Sequence, residues 1–200
     1  MKPVLLSLFL ILNIGFLYAQ ETLQKDAIII TKKNDTIKTS IKISTYDIDD
    51  EVFIHGSDFR SKIRLSNPTD KKFIPSEDVK YLEFELQGNK VEFVSVESVP
   101  ELSKYKMPPL FRRMQVGKLN WYKSYSWDNY NFTENFLEYF FLSGQGVHKI
   151  GMFNSLQKQL KKITQSKPDL VPKIESINKV FVLGRDKQIA DVVSAYNNNK

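Results

Sequence analysis

Apolar side chains recur at every second position through most of residues 27–150, and at about every 3.6 positions after Gly151. The first period belongs to strands with one buried face, the second to amphipathic helices. The chain therefore reads as an α+β protein, with antiparallel β-hairpins in its N-terminal and central parts and a tail of about three short helices. In AIIITKKNDTIKTSIKIS (27–44), Ile37, Thr39, Ile41 and Ile43 alternate with Lys38, Ser40 and Lys42, and Asn34-Asp35 supplies a turn. VFIHG (52–56) and KIRLS (62–66) have the length of short strands. Further hairpins are predicted for VKYLEFELQGNKVEFVSVE (79–97), turning at Gly88-Asn89, and for LFRRMQVGKLNWYKSYS (110–126), turning at Gly117. Another is predicted for NFLEYFFLSGQGVHKI (135–150), turning at Gly144-Gln145-Gly146.

In the tail, Phe153, Leu156, Leu160 and Ile163 form one stripe, with Lys158, Lys161 and Lys162 off it. Asp169 is placed to cap a short helix with Pro172 in its first turn, where a missing N–H costs nothing. Asp186 is placed to cap a last helix in which Ile189, Val192, Val193 and Tyr196 share a face, ended by Asn197 to Asn199. Pro100, Pro108 and Pro109 bracket the polar segment ELSKYKM and suggest a subdomain boundary. The expected layout is a leader at 1–19, a β-rich subdomain at 20–99, aromatic-rich hairpins at 110–150, and a helical segment at 151–200 packed on the sheet.

Ten of the twenty-one residues in WYKSYSWDNYNFTENFLEYFF (121–141) are aromatic. Alternation sends Leu119, Trp121, Lys123 and Tyr125 to one face, the expected core set, and Asn120, Tyr122, Ser124 and Ser126 to the other. In the next strand Leu137, Tyr139 and Phe141 alternate with Phe136, Glu138 and Phe140. Aromatics on both faces imply a sheet covered on one side and partly covered on the other. In the connection, Trp127 and Tyr130 stand beside Asp128, Asn129 and Asn131. Rings that stack and short polar groups that hydrogen-bond are what a sugar site uses, so these five are the candidate ligand-binding residues.

The N-terminus, MKPVLLSLFLILNIGFLYAQE, has Lys2, an apolar run from Val4 to Leu17, and Ala19 before Gln20. This is the layout of a secretory signal peptide cleaved after Ala19, and its apolar run is shorter than the roughly 20 residues of a membrane span. The expected location is secreted, in the periplasm or at the extracellular side of the cell envelope, with no transmembrane span after cleavage. The chain has no cysteine, which excludes disulfides, thiolate metal sites and cysteine nucleophiles. Stability must then come from an ordinary core, which about 180 residues can bury. Residues 20–100 carry 12 Lys/Arg against 15 Asp/Glu, and residues 101–200 carry 16 against 8. The basic second half points to an anionic or glycan envelope component as partner; nucleic acid is not expected for an exported chain.

Three stretches, IITKKNDTIK (29–38), LFRRMQVGKLNWYKSYS (110–126) and PDLVPKIESINKVFVLGRDKQIADVVSAYN (168–197), carry a resemblance to a group of secreted proteins of the Bacteroidota phylum. No activity is known for that group, so the resemblance implies compartment and broad architecture but no chemistry. Asp35-Thr36-Ile37 also resembles the short O-glycosylation sequon of that phylum, which makes Thr36 a candidate acceptor.

Catalytic patterns are sparse. His55 and His148 lie in different halves, and neither has an H-x-x-x-H or H-E-x-x-H partner. Ser103/Lys106, Ser155/Lys158 and Ser176/Lys179 match S-x-x-K, but the companion motifs S-D-N and K-T-G are missing. Asp47, Asp49, Asp50 and Glu51 crowd YDIDDE, yet Val52 and Asp58 stand where a calcium loop needs glycine and glutamate. No cofactor or metal is suggested. The reading is a non-catalytic binding or structural protein for a glycan or peptide. The alternative is a glycosidase-like hydrolase whose paired carboxylates meet only in space.

Fusing residues 1–25 to a reporter active only outside the cytoplasm should give activity, with a product beginning at Gln20. Intact Met1 on protein recovered from the envelope would overturn the leader assignment.

Overall fold

Alternation along the chain sets which side chains share a face, and pairing turns those faces into one sheet. The computed structural model describes residues 21–48, 51–67, 72–105, 109–128, 130, 133–151, 155–178 and 184–198. Among the described residues there are eleven strands: β1 (Glu21–Thr31), β2 (Thr36–Ile48), β3 (Glu51–Ile54), β4 (Lys62–Leu65), β5 (Phe73–Pro75), β6 (Val79–Leu86), β7 (Asn89–Ser95), β8 (Leu110–Gln115), β9 (Leu119–Asp128), β10 (Thr133–Leu142) and β11 (His148–Ile150). They lie in the order β11-β10-β9-β8-β7-β6-β1-β2-β4-β5, with β3 paired to β2 off this path. Every pairing is antiparallel.

The hairpins fall where period and turn residues place them, with one shift. Asn34 takes a positive φ between β1 and β2, as its turn requires. Between β6 and β7 the two turn residues are Gln87 and Gly88, both with positive φ, not Gly88-Asn89. Leu86 pairs with Asn89, so Asn89 already belongs to the ladder. A two-residue turn that follows the twist of the strands needs positive φ at both central positions, and Gln87 accepts that strain.

On the concave face, Ile29, Ile41, Ile43, Ile63, Leu82 and Phe93 form a fully buried cluster. The sheet curls until its distant parts meet. The 3-10 turn Gly56–Phe59 after β3 lies against β9. A Cβ on Gly56 would stand 2.3 Å from the ring of Tyr125, so only glycine permits this approach. The turn has no side-chain cap of its own. Glu134 of β10 supplies one, accepting from the Ser57 N–H at 2.6 Å. Phe59 then seats its ring 4.6 Å from that of Phe93.

The β9–β10 ribbon is covered on both faces, more fully than the sequence suggests. Leu119, Trp121 and Phe140 lie under the helices. Tyr122, Tyr139 and Phe141 lie under Val96, Val99 and Leu102. Val96 and Leu102 belong to the 3-10 turns Val96–Ser98 and Pro100–Leu102, with Val99 between them, so the end of the first half and the start of the proline-bounded connector together cover a sheet face. The sheet runs on across that connector, because β7 pairs with β8, Phe93 opposite Arg112.

The tail forms α1 (Leu156–Ile163), a 3-10 turn at Pro168–Leu170, α2 (Val171–Glu175) and α3 (Arg185–Asn198). Leu156, Leu160 and Ile163 are buried as the stripe predicts; Phe153 lies outside the described residues. Two caps differ from expectation. Asp169 sits inside the 3-10 turn, and Leu170 takes the cap position of α2 without a side-chain bond, while Pro172 does stand in the first turn. Asp186 is the second residue of α3 and points to the sheet. Asn197 clamps the other end of α3: its amide accepts from the Leu119 N–H at 2.8 Å and donates to the Leu119 carbonyl at 3.0 Å. Among the described residues no helix is long and apolar enough to cross a membrane.

Leu160 is completely buried between α1 and the sheet. Leu160→Ala should cost about 2–5 kcal/mol in denaturant unfolding. A chain ending at residue 150 that melts like the full protein would show instead that the tail adds nothing to the sheet.

Candidate functional site

The inward face of β9–β10 changes character along its length. Register pairs Trp121 with Phe140, Lys123 with Glu138, Tyr125 with Phe136, and Trp127 with Glu134. The Trp121 and Phe140 rings stack at 5.9 Å in the dry core under the helices. Four residues on from Lys123, about 13 Å along the strand, Trp127 is 38% exposed.

Between these ends lies a band of charge. Lys123 and Glu138 are buried at 2% and 1% exposure. Two consecutive residues of α3 complete them. Asp186 accepts from Lys123 Nζ with both oxygens at 2.6 Å. Arg185 donates to Glu138 Oε2 at 2.6 Å. Lys123 Nζ lies 3.9 Å from Glu138 Oε1, and stands 4.6 Å from the centre of the Phe136 ring. Glu138 Oε1 and Arg185 Nη1 are buried without a hydrogen-bond partner. Burial pushes the Glu138 carboxyl up, and Lys123 and Arg185 only partly offset it.

Arg112 of β8 sits opposite Lys123 and donates to the Tyr125 hydroxyl at 3.3 Å. Burial opposes its charge, but Tyr125, Asp186 and Glu134 outweigh that and raise its pKa. Burial also raises the Glu134 carboxyl, against its contacts with Ser57. At the open end the His55 ring lies between Tyr46, at 4.7 Å, and Trp127, at 6.2 Å. His55 Nδ1 is buried without a hydrogen-bond partner. Burial first, and Glu134 second, push the Tyr46 hydroxyl up to about 12.

Of the sequence-derived ligand-site candidates, Trp127, Asp128 and Tyr130 are described and lie at this end. Trp127 and Asp128 end β9 rather than lying in a loop, and Tyr130 is 90% exposed. Asp128 accepts from the Tyr130 N–H at 2.9 Å. Asn129 and Asn131 lie outside the described residues, as do Asp49, Asp50 and Ala19. Thr36 is exposed where β2 begins. His148 is remote from this end and bonds Gln159 of α1 at 3.2 Å. No cluster of potential metal ligands is found among the described residues.

Sequence reasoning missed His55, Tyr46 and Arg112 as parts of this end. The available signal was a charge at an inward position: Arg112 shares the alternation of Leu110, as Lys123 shares that of Trp121. No protein family, curated protein or solved structure matches the chain, so the functional reading rests on the site itself.

A carboxyl raised on folding binds its proton more tightly in the native state, so its contribution to stability falls as pH rises. The free energy of unfolding of the protein minus that of Glu138→Gln should therefore shrink between pH below 4.5, the ordinary glutamate value, and neutral pH. Urea titrations at several pH values measure it; a difference that grows with pH would show that Arg185 and Lys123 outweigh burial.

Proposed function

We propose that the chain is an exported, non-catalytic binding protein of the cell envelope that holds a glycan at the open end of β9–β10. One observation carries the reading. Trp127 is part open to solvent while its ring meets His55 edge-on, and His55 in turn packs at a tilt against Tyr46, so an aromatic surface is held from behind. Stacking on such a surface with polar groups at its rim is how small-molecule sites combine affinity with orientation. Tyr130, exposed two residues past Asp128, extends the aromatic rim. Export is supported by the N-terminal apolar run and Ala19.

A carboxylate-dependent hydrolase is the second reading, and the raised Glu134 is what favours it. Glu134 is engaged by the Ser57 N–H, and Glu138 is paired to Arg185. These points favour binding.

Trp127→Ala should weaken glycan binding at least about tenfold and should cost less stability than Trp121→Ala, because part of its ring is open to solvent. Trp121→Ala, at a site 1% exposed, should cost about 3–5 kcal/mol. Titration calorimetry on a panel of oligosaccharides, with thermal melts of both variants, measures this. Glycan binding unchanged in Trp127→Ala would end the platform reading.

A further inference from the structure

We propose that the protein binds a short zwitterionic peptide in a cavity on the convex face of the sheet, with the peptide's carboxylate at Lys38 and its amino group at Glu85. This site lies on β1, β2, β6 and β7 and does not depend on the glycan reading above. The alternation that buries Ala27, Ile29, Leu82 and Phe84 turns Asp26, Ile28, Glu83 and Glu85 to the other side of the same strands. With Lys38 of β2 and Lys90 of β7 they line a cavity of about 870 Å³, which is within the range of small-ligand sites. Register sets its layout. Ile28 has Lys38 on one flank and Glu83 on the other, Asp26 lies opposite Ser40, and Glu85 lies opposite Lys90.

Most of the charge in this cavity is already engaged. The Ser40 hydroxyl donates to Asp26 at 2.6 Å. Glu83 accepts from the Tyr81 hydroxyl at 2.6 Å and pairs with Lys90 at 2.7 Å. Lys90 also reaches Glu92 at 3.1 Å. Lys38 and Glu85 are the exceptions: both are exposed, and neither makes a hydrogen bond or ion pair with a described residue. Two strand spacings and a two-residue offset separate them, about 12 Å at the backbone, with Ile28 between. Two or three extended residues span about 7–10 Å, and the two side chains reach across the remainder; a single amino acid, at roughly 3.5 Å, is too short to meet both.

The signs of the lining charges select the ligand class. Asp26, Glu83 and Glu85 face Lys38 and Lys90, so a plain anion is repelled, while a plain cation leaves Lys38 without a partner. A zwitterion answers both free charges at once and lays an apolar side chain on Ile28, which is only partly buried.

The test is calorimetric titration of the full chain with the tripeptide alanyl-leucyl-alanine, its N-acetyl form, its C-terminal amide and the doubly blocked peptide. The free peptide should bind, and blocking either end should weaken it about fivefold, the upper size of an ion pair that stays in contact with water. In Glu85→Gln acetylation should no longer matter, and in Lys38→Gln amidation should no longer matter. Both positions are exposed, so neither substitution threatens the fold. Equal binding of free and blocked peptides, or no binding of the free peptide, would overturn the inference and leave the Trp127 platform standing. Peptide binding that is lost in Trp127→Ala but intact in Lys38→Gln and Glu85→Gln would overturn it as well, and would assign the peptide to the Trp127 end.

Discussion

Lys123 and Glu138 face each other across β9–β10 inside the protein, but at 3.9 Å they form no hydrogen bond with each other, so each draws a closer partner from elsewhere. Removing one partner from a buried pair costs about 3–5 kcal/mol, because the other is left charged and dry. Arg185 and Asp186, adjacent at the start of α3, meet this demand together, one for each strand residue. That fixes where α3 must begin and how it is rotated. Asn197, bonded to both backbone groups of Leu119, fixes where it ends. The apolar side chains Ile189, Val192, Val193 and Tyr196 add burial energy between these two anchors but would tolerate sliding; the charges do not.

The other end of the ribbon is held differently. Gly56 lies on the Tyr125 ring, Glu134 caps the turn that follows, and Phe59 enters the core behind it. This seam brings the β3 region to β9 although the two are remote in sequence. It also shapes the open end. Because the turn is pinned at Ser57, His55 is carried against Trp127 and Tyr46 behind it. A single face thus runs from a dry core, through a band of paired charge, to a part-open aromatic edge. The band keeps the helices on one side and leaves Arg112 facing the other.

Local pattern made much of this legible. Alternation placed Trp121 and Leu119 inside, the glycines at 117 and 144 marked turns, and Leu156, Leu160 and Ile163 marked a helix face. Trp127, Asp128 and Tyr130 stood out as candidates because the aromatic and polar groups are neighbours in the chain. His55 was not, because it looked like an isolated strand residue, and Tyr46 was hidden in an acidic stretch. Asp186 read as a helix cap, since an acidic residue at a helix start satisfies the backbone in any context; only the buried ammonium of Lys123 gave it a stronger partner.

The amino-acid sequence by itself determined the fold class, most strands and the helices, and which side chains share a face, because period and turn chemistry act over a few residues; the short β5 and the first part of β1 carry no such period. Tertiary structure decided which faces meet. The Ser57 to Glu134 bond joins residues 77 apart, the Arg185 to Glu138 bond residues 47 apart, and the Lys123 to Asp186 bond residues 63 apart. Alternation says that Arg112, Lys123 and Glu138 point inward, but not which counter-charge each will find. That is settled only when the sheet has curled and α3 has docked, since a partner for a buried charge is a matter of distance in space.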